Sequence, residues 1–106
     1  MVLTLIGGGL DMVKVVAKNK VKKGSEEQYL KLAQALADKT RAEEGCITYQ
    51  LFQDINDSGI YTFIEEWADE AALDAHMKSE HFQEIVPKLG EFSEGSGEIN
   101  VYKLLI

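Results

Sequence analysis

The stretch Glu65-Glu66-Trp67-Ala68-Asp69-Glu70-Ala71-Ala72-Leu73-Asp74-Ala75-His76-Met77-Lys78-Ser79-Glu80-His81-Phe82 ends a strand, turns and starts a helix, and that change of period decides the fold. Its first residues close an alternating run that begins at Ile60. Tyr61, Phe63, Glu65 and Trp67 share one face of that run, and Ile60, Thr62, Ile64 and Glu66 share the other. Such alternation is the mark of a strand. Apolar groups on both faces predict that both are covered, one of them by another subunit. Asp69 then suits a helix N-cap, and Ala72, Leu73, His76 and Met77 recur at helical spacing as an inner stripe. Ser79 is expected to cap a continuation holding Phe82, Ile85, Val86 and Leu89, which Pro87 should bend or end.

Working upstream, Val13, Val15, Ala17, Asn19 and Val21 alternate with Lys14, Lys18, Lys20 and Lys22, which predicts a half-buried strand. Ser25 with Gln28 fits a capping box. Tyr29, Leu32, Ala33, Leu36, Ala37 and Thr40 then give a helix an apolar face, and Gly45 is expected to end it in the left-handed conformation. Cys46 to Asp54 reads as a strand, and Asn56-Asp57-Ser58-Gly59 has the composition of a hairpin turn. Downstream, Gly90 to Gly97 reads as a loop and Ile99 to Ile106 as a last strand. The predicted order is β-α-β-β-α-β, a ferredoxin-like α+β fold with an antiparallel sheet and both helices on one face. The bare face is expected to pair with a second copy, giving a homodimer.

The chain has 106 residues, 45% of them hydrophobic and 27% charged, with a net charge of -7. That length suits one domain, here residues 12–106. Residues 1–11, Met1 to Asp11, read as an N-terminal extension, non-native or disordered; Val2 to Ile6 would alternatively add an edge strand. Their apolar run is too short to span a membrane and lacks a basic leader, so no membrane partner is expected. An acidic chain repels phosphate backbones, which excludes nucleic acid as a partner. The lysines between Lys14 and Lys23 read as a solvated strand edge. One cysteine, Cys46, builds no disulfide framework and points to a reducing cytoplasm.

Face parity collects the residues able to carry chemistry. Glu65 lies among aromatic neighbours, where desolvation raises a carboxylate pKa; it can serve as a base, pair with His76, or reach water at the strand end. His76 shares the inner stripe of its helix and faces the strands that carry Glu65 and Asn19. Its imidazole suits a proton acceptor for a phenol, and equally a satisfied core residue. Asn19 is either a satisfied structural amide or a donor and acceptor for a ligand oxygen. Trp67 is either core or a flat wall for an aromatic ring, with Tyr49, Tyr61, Phe63 and Phe82 lining the same space and His81 at its mouth. No Gly-rich loop precedes a helix, so no nucleotide is expected. The two histidines are five residues apart and outside any His-Glu-x-x-His run, so no metal is expected.

Glu43-Glu44-Gly45-Cys46 followed by Tyr49, then Glu65-x-Trp67, Leu73-x-Ala75-His76 and Ser79-x-His81-Phe82, resembles the antibiotic biosynthesis monooxygenase family, and within it the small quinol monooxygenases. The likeness covers about residues 12–105. It implies a ferredoxin-like fold dimerised into an α+β barrel, with a pocket in each subunit between sheet and helices. It also implies a monooxygenase that oxidises a small quinol, phenol or polycyclic anthrone with molecular oxygen and no cofactor. His76 or Glu65 would then be the base, Asn19 and Trp67 would orient ring oxygens, and His81 would sit at the mouth. A related branch degrades heme. Its Asn, Trp and heme-ligating His fall here near Asn19, His76 and Val86, and the apolar Val86 argues against heme. A non-catalytic barrel that binds an aromatic metabolite, and an isomerase of a small signalling molecule, are the alternative functions.

Overall fold

The computed structural model describes residues 11–106, so the extension expected over residues 1–11 lies outside it except for Asp11. The elements run β1 (Val13–Val21), α1 (Glu26–Thr40), β2 (Cys46–Gln53), β3 (Ile60–Trp67), α2 (Glu70–Met77), α3 (Glu80–Glu91) and β4 (Ser93–Lys103). The antiparallel sheet has the order β2-β3-β1-β4, as the ferredoxin-like arrangement requires. Val13, Val15 and Val21 of β1 and Tyr61, Phe63 and Trp67 of β3 are buried in one core with Tyr29 and Leu36 of α1, Leu73 of α2 and Ile85 and Leu89 of α3. No helix among the described residues is long and apolar enough to cross a membrane.

The expected second helix is two helices. Asp69 caps α2 by accepting the Ala72 N–H at 2.8 Å. Ser79 is extended (φ -68°, ψ 154°), so α2 cannot run through it. Its hydroxyl donates to the His76 carbonyl at 2.6 Å and accepts the Phe82 N–H at 3.2 Å, closing α2 and opening α3. This bend sets His76 and His81 on two separately aimed helices.

Three local expectations are corrected. Ser25 stands at the start of α1 but makes no side-chain cap bond: its backbone (φ -105°, ψ 5°) is not the extended one that aims a capping oxygen, and Glu26 instead accepts the Gly24 N–H at 2.9 Å. α1 stops at Thr40, before Gly45. Gly45 (φ 87°) instead turns the chain into β2, where a Cβ would stand 2.6 Å from Ala72 Cβ of α2. The loop expected over residues 90–97 is the end of α3 and the start of β4. α3 runs through Pro87 to Glu91 because burial of Ile85 and Leu89 on its inner face offsets the hydrogen bond that proline cannot make.

β4 carries a wide bulge. Lys18 pairs with Glu98 and Lys20 with Glu94, which leaves Gly95-Ser96-Gly97 opposite Asn19 alone. Gly95 and Gly97 take φ of 70° and 72°, a conformation that favours glycine. The sheet face away from the helices carries Val16, Ile64, Phe52 and Tyr102, of which Phe52 is 46% and Tyr102 51% exposed.

Candidate active site

A cavity of about 270 Å³ lies between the sheet and the helices. Its walls are mostly apolar, from Val15, Phe63, Leu73 and Val86 to Ile99 of β4; its polar groups include Asn19, Glu65, His76 and Ser96. A wider recess of about 690 Å³ opens beside α2 at the ends of β1 and β4, and no histidine lines it.

β3 parity places Glu65 on the inner face, opposite Val15 of β1 and Tyr49 of β2. Its side chain is buried, and Oε1 accepts the Trp67 Nε1–H at 2.9 Å. Burial raises its pKa from 4.5 to about 7; the Trp67 bond opposes this, and the negative charge of Glu43 adds to it. A carboxylate so tuned exchanges protons near neutrality.

His76 ends the inner stripe of α2 and is 1% exposed. Its ring lies against Trp67, with centroids 4.5 Å apart and planes 32° apart, and stands edge-on to Phe82 at 5.1 Å and Tyr49 at 5.5 Å. Nδ1 lies 2.7 Å from Glu43 Oε2, and Nε2 is buried without a hydrogen-bond partner among the described residues. Burial pulls the imidazole below its ordinary pKa, against the hydrogen bond to Glu43. A neutral ring that donates Nδ1–H to a carboxylate keeps Nε2 as an acceptor.

Glu43 is the group that sequence reasoning left without a role. It stands in the turn between α1 and β2, and the contact of Gly45 with Ala72 brings that turn against α2. The same Oε2 that meets His76 lies 2.6 Å from His81 Nε2. The three ligand atoms lie within 4.8 Å of one another, close enough to reach one cation. No local signal announces this cluster, because its members are separated by 33 and 38 residues in sequence.

Of the expected site residues, Asn19, Tyr49, Phe63, Glu65, His76 and Phe82 line the cavity. Trp67, Tyr61 and His81 do not. Trp67 is fully buried behind His76 and acts on the cavity through Glu65. Tyr61 packs edge-on against Tyr29 at 5.5 Å. His81 is turned to Glu43. Tyr29, taken from the sequence as helix core, does line the cavity. Burial pushes its hydroxyl up to about 12, with the Asn19 side chain pulling the other way. Ser93 and Ser96 also line it, having been hidden in the segment read as a loop.

The sequence profile described as antibiotic biosynthesis monooxygenase matches residues 12–88. The uncharacterised protein sll1783 of Synechocystis is 32% identical over 99 residues, covering 93% of this chain and 67% of that protein. A crystal structure of a conserved protein from Methanosarcina mazei Go1 superposes with a TM-score of 0.86 at 42% identity, covering 88% of this chain and 92% of the other. A crystal structure described as an antibiotic biosynthesis monooxygenase gives a TM-score of 0.83 at 37% identity, covering 89% and 99%.

Proposed function

The chain belongs to the antibiotic biosynthesis monooxygenase family, and on that premise we propose that it oxidises a small quinol, phenol or related aromatic with molecular oxygen. The observation that carries this reading is Glu65: a carboxyl with a pKa near 7 on the wall of an apolar cavity of about 270 Å³. A cavity of about 150 Å³ holds one benzene ring, so this one suits a ligand of one or two rings.

The ring enters among Phe63, Phe82 and Leu73. Ionised Glu65 takes the proton of one ring hydroxyl, and the His76 ring forms part of the wall against which the ligand packs. Asn19 and Tyr29 orient the far end of the ligand. The phenolate formed is rich enough in electrons to reduce oxygen itself, so the reaction draws no electrons from a cofactor. A hydroquinone then loses two hydrogens and gains one oxygen atom, and the second oxygen atom leaves as water. The protein contributes a base, orientation and a largely dry cavity.

Oxygen uptake with a panel of reduced naphthoquinones tests the reading. Uptake above autoxidation, lost in Glu65→Gln, supports it; uptake no faster than autoxidation across the panel removes it. The exposed Phe52 and Tyr102, with Val16 and Ile64 on the same sheet face, support a homodimer formed through that face.

A further inference from the structure

The His76–Glu43–His81 cluster meets the cavity wall only at His76 and has a chemistry of its own. Its ligand atoms come from three elements: the turn before β2, the last turn of α2 and the first turn of α3. Two imidazole nitrogens converge on one carboxylate oxygen, at 2.7 Å and 2.6 Å. We infer that Glu43, His76 and His81 form a binding site for one divalent transition metal ion of the zinc type.

The donor set argues for that class. Two imidazoles and a carboxylate suit zinc, cobalt, nickel or copper, whereas magnesium and calcium prefer oxygen donors. Metal–ligand bonds of about 2.1 Å at tetrahedral angles put ligand atoms about 3.4 Å apart, so Glu43 has to withdraw by roughly 0.7–0.8 Å from each nitrogen while the two nitrogens, within 4.8 Å of each other, draw together. The cluster can open that far. His76 is held by Trp67 and Phe82, but the side chains of Glu43 and His81 keep 16% and 15% of their exposure. The same exposure provides an entry path and room for water as a further ligand. The chain's net charge of -7 favours a cation over an anion there.

Only His76 belongs to both the cluster and the cavity wall. A metal on Nδ1 therefore does not touch a ligand in the cavity. It acts through the ring instead: with Nδ1 occupied by metal, the imidazole proton sits on Nε2, and an acceptor becomes a donor. Metal binding thus fixes the tautomer of a ring that forms part of the cavity wall.

The test is titration of the purified full chain with Zn²⁺ by calorimetry and with Co²⁺ by visible absorption. The expected result is one ion per chain with a micromolar or tighter Kd, and a Co²⁺ spectrum of low coordination number that Zn²⁺ abolishes. His81→Ala and Glu43→Gln should each weaken binding tenfold or more, with circular dichroism showing the fold retained. Nitrogen-15 NMR of the His76 ring should move from the Nδ1–H to the Nε2–H tautomer as Zn²⁺ is added. Binding weaker than about 100 μM, or binding unaltered in both variants, overturns the site; a ring that keeps Nδ1–H at saturation overturns the placement on His76. None of these measurements uses substrate, so a failure of the oxygenase reading leaves their outcome intact.

Discussion

Replacing Glu65 with glutamine should stabilise the protein, and the gain should depend on pH. The side chain is 6% exposed and its pKa is raised from 4.5 to about 7, chiefly by burial. A carboxyl raised on folding favours the folded state only while protonated. Its contribution is therefore fully present below pH 4.5 and is lost as the pH rises through 7. A rise of this size is worth about 3 kcal/mol, at about 1.4 kcal/mol per pKa unit. Glutamine keeps the shape of the side chain, offers Trp67 Nε1–H an amide oxygen and carries no charge to desolvate. The stability of Glu65→Gln minus that of the native chain should thus lie near zero at pH 4 and climb to about 3 kcal/mol by pH 8. Denaturant unfolding across this range, at one fixed protein concentration, measures the difference, and the other carboxylates largely cancel in it. A difference that is flat with pH, or that falls as the pH rises, refutes the account of Glu65 as a buried carboxyl without a charged partner. In the native chain the same group should appear as an ionisation near pH 7 in the rate profile of the proposed oxidation.

Other consequences follow from single contacts. His76→Ala empties the space between Trp67 and Phe82 and leaves the Glu43 carboxylate with His81 alone; it should cost about 2–4 kcal/mol in unfolding experiments and abolish the proposed turnover. Gly45→Ala forces a side chain into a left-handed residue and against Ala72, so it should lower stability by about 2 kcal/mol or more, read as a fall in Tm. Phe52→Asp puts a charge on the exposed sheet face; sedimentation should show the proposed dimer converted to monomer with the helical circular dichroism intact. Arg41→Ala removes two hydrogen bonds to the Tyr49 carbonyl, at 3.0 and 2.8 Å, and should cost about 1–2 kcal/mol by denaturant titration.

Local pattern carried much of the fold. Alternation over Val13–Val21 and Ile60–Trp67 is a property of neighbouring residues, and it named the inner face of both central strands correctly. Parity alone put Glu65 and Trp67 side by side, and helical spacing turned His76 inward with Leu73. The errors came where a local signal competes with packing. Pro87 and the glycines near residues 90–97 look like a loop until the burial of Ile85 and Leu89 and the bulge opposite Asn19 are known.

The composition and periodicity of the chain by themselves determined β1, β2 and β3, the inward faces of β1 and β3 and the candidacy of Asn19, Glu65 and His76, because these depend on residues a few positions apart. Tertiary structure alone decided which of them share a space. It drew Glu43 to both histidines, left Trp67 behind the cavity wall, turned His81 away from the lining and brought Ser93 and Ser96 in. Those outcomes rest on the approach of Gly45 to Ala72 and on the bend at Ser79, and the direction in which two packed elements meet is not written in the period of either one.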